Sequence, residues 1–135
     1  MSFEELPHTA DVRMRVRADT LSALFSDACM ALMQVMYGND RRPKMTKKIM
    51  LDAPVIESLL PDFLSEVLFV TDVDSFVIAH VDVAIKGTHL NAILDGEPFD
   101  PQRHNKGTEI KGISYSGLAI EKKTGGYQIE IIFDV

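Results

Sequence analysis

Between Val12 and Ala18 the chain alternates, with Val12, Met14, Val16 and Ala18 on one side and Arg13, Arg15 and Arg17 on the other. That period of two belongs to a strand with one face in a core and one in water, so three arginines point outward. The period then changes. Leu21, Leu24, Phe25, Ala28, Leu32, Val35 and Met36 recur at steps of three and four, which predicts a helix capped by Thr20, running to about Tyr37 and stopped by Gly38. Lys44 to Leu51 reads as a strand. A second helix is expected to open at Asp52 or Ala53 with Pro54 in its first turn, where a missing N–H costs nothing. Ile56, Leu59, Leu60, Phe63, Leu64, Val67, Leu68 and Phe69 form its apolar face. Pro61 lies inside this segment and removes one intrahelical hydrogen bond, which predicts a kink or a break.

From Phe76 the pattern turns to strand. Phe76 to Lys86 reverses at Gly87-Thr88-His89 and returns antiparallel as Leu90 to Asp95. A loop of about a dozen residues, Gly96 to Gly107, follows, and loops of that length in a small domain are often functional. Ile110 to Tyr115, Leu118 to Lys122 and Tyr127 to Asp134 read as three more strands, the last two joined by a turn at Thr124-Gly125-Gly126. The elements add up to an α+β fold, a mainly antiparallel β-sheet with two helices packed on one face.

With 135 residues and 46% hydrophobic content, the chain has material for one domain with a core and too little for two. The net charge of −6 speaks against strong direct binding of nucleic acid, which needs a clustered basic face. Arg41, Arg42, Lys44, Lys47 and Lys48 form the nearest approach to one and read as solvated loop and strand positions. The single cysteine, Cys29, sits among Ala28, Met30, Ala31 and Leu32 as a buried thiol; it excludes an intramolecular disulfide and fits a reducing compartment. No apolar stretch approaches the ~20 residues of a membrane span, so a soluble, cytoplasmic protein is expected.

Chemistry concentrates near the ends. If the first and last of these strands pair antiparallel, Asp11 before one and Asp134 closing the other meet at one rim of the sheet. Two carboxylates, a terminal carboxylate at Val135 and backbone carbonyls would suit calcium or, with more waters, magnesium. On the residues alone, Asp11 reads equally as a turn or cap and Asp134 as a solvated end. His8, His80, His89 and His104 have no zinc-ligand spacing, and Ser114 and Ser116 no nucleophile elbow. A small hydrolase using Asp11 with a divalent ion finds no further acid at ligand spacing.

Two blocks carry a family resemblance. His8-Thr9-Ala10-Asp11-Val12, and Gly96-Glu97-Pro98-Phe99-Asp100-Pro101 with His104 and Gly107-Thr108-Glu109-Ile110-Lys111, together with the terminal Phe133-Asp134-Val135, resemble the archease family over nearly the whole chain. The family's usual tryptophan in the second helix reads here as Phe63, and its Lys-Ala-Ile-Thr-Tyr-His run reads Lys111-Gly112-Ile113-Ser114-Tyr115-Ser116. Archeases assist the RtcB-type RNA ligase of tRNA splicing, promoting its guanylylation by GTP and its repeated turnover. The resemblance therefore implies a non-enzymatic activator whose metal ligands are Asp11, Asp134 and Val135, with calcium as the ion and the RtcB-type ligase as the protein partner. Lys111, a cation at the loop exit, would be its first candidate for partner contact, followed by His8, Glu97 and His104. Glu97 and Glu109 could instead anchor the long loop, and Asp100-Pro101 reads most simply as a turn. The alternative role is a general chaperone or modulator of nucleic-acid-modifying enzymes such as methyltransferases, which would call for an exposed apolar patch.

Overall fold

The Val12–Ala18 alternation and the interval from Thr20 to Gly38 become the elements they encode in the computed structural model, which describes residues 2–6, 11–104, 107–114 and 120–135. Strand β1 is Ser2–Leu6, β2 Val12–Ala18, and helix α1 Leu21–Tyr37. Thr20 Oγ1 accepts the Ala23 N–H at 3.1 Å, and Gly38 N–H closes the other end on Gln34 O at 3.0 Å. Gly38 has φ 79°, which a side chain would strain.

Strand β3 spans Met45–Asp52 and helix α2 Ile56–Val73. The expected start at Asp52 or Ala53 is too early. Ala53 N–H still donates to Thr88 O, and Val55 is extended at the N-cap, so Pro54 lies outside the first turn. Pro61 does not break the helix, which runs unbroken to Val73. A proline in a helix interior costs about 3 kcal/mol. Fully burying Leu59, Leu60, Phe63 and Leu64 stabilises by about 1.5–3 kcal/mol each, enough to carry the helix past it.

Strands β4 (Phe76–Lys86) and β5 (His89–Pro98) form the expected hairpin, but β5 runs three residues further, through Gly96, Glu97 and Pro98. The extension follows from its central position, since β3 and β4 pair with it on either side. A Cβ at Gly96 would collide with the Val77 carbonyl. The remaining strands are β6 (Gly112–Ser114), β7 (Glu121–Lys123) and β8 (Gly126–Asp134). Tyr115 and Leu118, expected in strands, lie outside the described residues.

The α+β class and the antiparallel pairing agree with expectation. The strands, however, divide between two sheets. One has three strands in the order β3-β5-β4; the other runs β1-β2-β8-β6, with β7 also on β8. Helix α1 packs against β2 of one sheet and β4 of the other, and Phe25 stacks on Phe63 of α2 with ring centroids 6.1 Å apart. The inward residues of β2 and β8, Met14, Val16, Ile129, Ile131 and Phe133, complete the same core. Among the described residues, no helix is long and apolar enough to cross a membrane.

Candidate functional site

Strands β2 and β8 pair antiparallel from Ala18 with Tyr127 to Val12 with Phe133. One step beyond the last pair stand Asp11 and Asp134. Asp134, within β8, continues the outward row of Ile132, Glu130 and Gln128, and Asp11 stands in the bend that leads into β2. On the other side of Asp134 lies Gly112, its register partner on β6, and Lys111 N–H donates to Asp134 O at 2.7 Å. Lys111 and Val135 are exposed. The backbones of Asp11, Lys111, Asp134 and Val135 thus lie at one end of the sheet.

Among the described residues no three His, Cys, Asp or Glu side chains assemble around a common point. The donor set at this end is two carboxylates plus main-chain oxygens. Such a set suits a hard cation with an adaptable oxygen shell, calcium before magnesium, and offers nothing to a thiolate-seeking metal. Gly112 leaves room beside it, since a Cβ there would already touch Asp134 Oδ2 at 3.5 Å.

The outward arginines are matched. Arg15 reaches Glu130 at 3.0 Å and Glu4 at 3.3 Å, Arg13 lies 3.8 Å from Glu130, and Arg17 donates to Gln128. The basic run is divided in the same way. Arg42 pairs with Asp40, Lys44 with Glu97 and Lys47 with Asp74.

Glu97 and His104 are placed differently from Lys111. Both are 1% exposed. Arg103 binds Glu97 through both terminal nitrogens, and the Arg42 N–H donates to Glu97 Oε2 at 2.7 Å. His104 Nδ1 accepts the Asp100 N–H at 2.9 Å, which leaves the ring proton on Nε2, 3.2 Å from Glu97 Oε2. Arg103 also reaches Asp100 and Asp40, and the Asp100 carboxylate accepts the Gln102 N–H as an Asx turn. The hydrogen bonds from Arg103 hold the Glu97 carboxyl down at about 2, and the Arg42 amide adds to this against the opposing effect of burial. The network closes the long loop on itself and onto the α1–β3 connection. Arg103 is its centre and was not singled out in the sequence. No local pattern marked it, because the need for a cation arises only once β5 extends past Asp95 and buries Glu97.

The loop also forms one wall of a groove of about 700 Å³ between α2 and residues 107–112. Gly107 lies against the Met36 carbonyl so closely that any Cβ would collide with it, and Thr108 N–H donates to Val35 O. His8 and Ser116 lie outside the described residues.

The model of the archease protein family matches residues 3–135. This chain belongs to the archease family. An archease of Methanosarcina mazei is 32% identical over 139 residues, covering 98% of this chain and 95% of its own. An archease of Pyrococcus furiosus is 34% identical over 142 residues, covering 98% of each. Among solved structures, protein 1598 of Methanobacterium thermoautotrophicum superposes with a TM-score of 0.82 at 24% identity, covering 98% of both chains. A Thermotoga maritima archease, described as a possible chaperone, gives 0.68 at 16% identity, covering 98% of this chain and 96% of that one. These two likenesses speak for the archease fold.

Proposed function

We propose that this archease is a non-enzymatic, metal-binding activator of an RtcB-type RNA ligase in tRNA splicing. It would promote ligase guanylylation by GTP and multiple turnover. The observation that carries the reading is the β2–β8 register, whose last pair, Val12 with Phe133, leaves Asp11 and Asp134 one step beyond it at the same end, beside Lys111. Asp11 and Asp134 would hold a divalent cation, calcium before magnesium, with Val135 as third contributor. The bound ion supplies positive charge that offsets carboxylate repulsion and ties the two strand ends together. Lys111 then stands at the rim as a point charge for a phosphate or carboxylate of the partner complex. Glu97 and His104 serve by fixing the loop that leads to Lys111. Activation requires tighter binding to the guanylylation-competent ligase than to its resting form, because equal affinity for both shifts nothing.

Single-turnover guanylylation of the purified ligase, alone, with this protein and with its Asp11→Ala variant, tests the reading. Acceleration by the parent and its loss in the variant are expected; equal rates in all three remove the activation role. A second reading, a general chaperone for nucleic-acid-modifying enzymes, draws on the exposed Phe69, Val73 and Phe99. Assistance that survives Asp134→Ala unchanged would favour it.

A further inference from the structure

The outer face of α2 holds a feature that the acidic end of the sheet does not explain. Helix α2 buries Leu60, Phe63, Leu64, Val67 and Thr71, yet Phe69 is 60% and Val73 61% exposed. At a spacing of four these two are neighbours on the helix surface. Phe99, 39% exposed, lines the groove opposite Phe69. Large apolar side chains scattered singly need no explanation, but two exposed aromatic rings, Phe69 and Phe99, lining one groove, with Val73 one turn beyond Phe69, mark an interaction surface.

The wall behind Phe99 is rigid. Tyr37, Phe99 and His104 form a ring cluster with centroids 5.9–6.2 Å apart. Tyr37 Oη is hydrogen-bonded to Thr71 Oγ1 at 3.0 Å, and His104 is held by Asp100 and Glu97. A wall ordered before binding loses little entropy on binding, which favours affinity.

Charge identifies the occupant. Exposed Asp72 borders the groove on the helix side and exposed Glu109 on the other, and its far end, at Lys111 and Gly112, opens onto Asp134. One cation, Lys111, faces these acids among the described lining residues. A second copy of this chain is a poor occupant, since a two-fold contact would set Asp72 and Glu109 near their own counterparts in a protein of net charge −6.

We propose that this groove seats a segment of the partner protein carrying a bulky apolar anchor flanked by lysine or arginine. The anchor packs between Phe69 and Phe99, and the basic flank meets Asp72 and Glu109. The inference rests on the ligase reading above and names the surface that reading lacks. It makes α2 the docking element and leaves the acidic strand ends free to act beyond it.

The test is direct binding of the purified RtcB-type ligase to the full-length chain, to Phe69→Glu and Asp72→Lys, and to Met50→Glu. Met50, 69% exposed on β3 and outside the groove, is the control. Loss of an aromatic anchor is expected to weaken binding by about thirtyfold, and reversal of a rim charge by a few-fold with a reduced salt dependence. Met50→Glu is expected to bind as the parent does. A ligase that the parent chain does not bind overturns the ligase reading and this inference together. A ligase bound equally by parent, Phe69→Glu and Asp72→Lys overturns the groove alone. Self-association of the parent that Phe69→Glu abolishes assigns the groove to a second copy and equally overturns it. Because both variants alter exposed positions, each should melt within a few degrees of the parent, and either one alone decides the matter.

Discussion

Gly112 faces Asp134 across the β6–β8 ladder, and a side chain grown from Gly112 would meet Asp134 Oδ2 at 3.5 Å. The position accepts a side chain without backbone strain, since its φ lies outside the left-handed region. Gly112→Lys should therefore fold and place an ammonium group beside the carboxylate. Calcium affinity measured by calorimetric titration is expected to fall about tenfold, the order of a single outer-shell change at a metal site.

Removing one acid separates ion binding from charge repulsion. Without calcium, Asp11→Asn should melt at or slightly above the parent temperature, because like charges directly opposite destabilise by a few tenths of a kcal/mol. If the acids hold calcium as proposed, the parent at a hundred times the Kd should gain about 2.7 kcal/mol, roughly 10 °C for a chain of this size. The variant is expected to gain much less. Calorimetric melting with calcium and with chelator reads both halves.

The loop network sets an acid limit. Glu97 has its pKa lowered from 4.5 to about 2 by Arg103, so its contribution to stability is full above about pH 4.5. As pH falls from there through about 2, that contribution is lost. Glu97→Gln should flatten this part of the urea-unfolding profile. It should also cost about 3 kcal/mol at neutral pH, the range for removing one partner of a buried pair.

Cys29 is fully buried and its thiol is pushed up to about 12 by burial. A thiol-disulfide reagent at pH 8 should label no cysteine in the folded protein and one per chain in denaturant. Prompt labelling of the native state would show that α1 opens readily.

Helix α1 was legible in full because three local signals, the Thr20 cap, the three-four apolar spacing and the Gly38 stop, agree. The start of α2 was not, because Pro54 is as compatible with the extended approach it makes as with a first turn. The unbroken passage through Pro61 depends on packing against α1 that no local pattern contains. Strand β1 was missed: Ser2–Leu6 is short and at the sheet edge, and Phe3 with Leu6 gives too little alternation. At the acidic end, the proximity of Asp11 and Asp134 hung on one pairing that sequence could only state conditionally. The burial of Glu97 was least accessible, because charged residues are seldom buried and its cation lies six positions away across a closed loop.

The β2–β8 ladder joins residues more than a hundred positions apart. During synthesis β2 emerges early and must wait, its apolar face covered at most by α1, until residue 134 clears the ribosome. Until then β2 can pair only with β1, and the β8 side of the sheet, with Asp134 at its end, is not yet formed. A chain that stops short of β8 therefore leaves the β2 edge unpaired and Asp11 without Asp134 beside it.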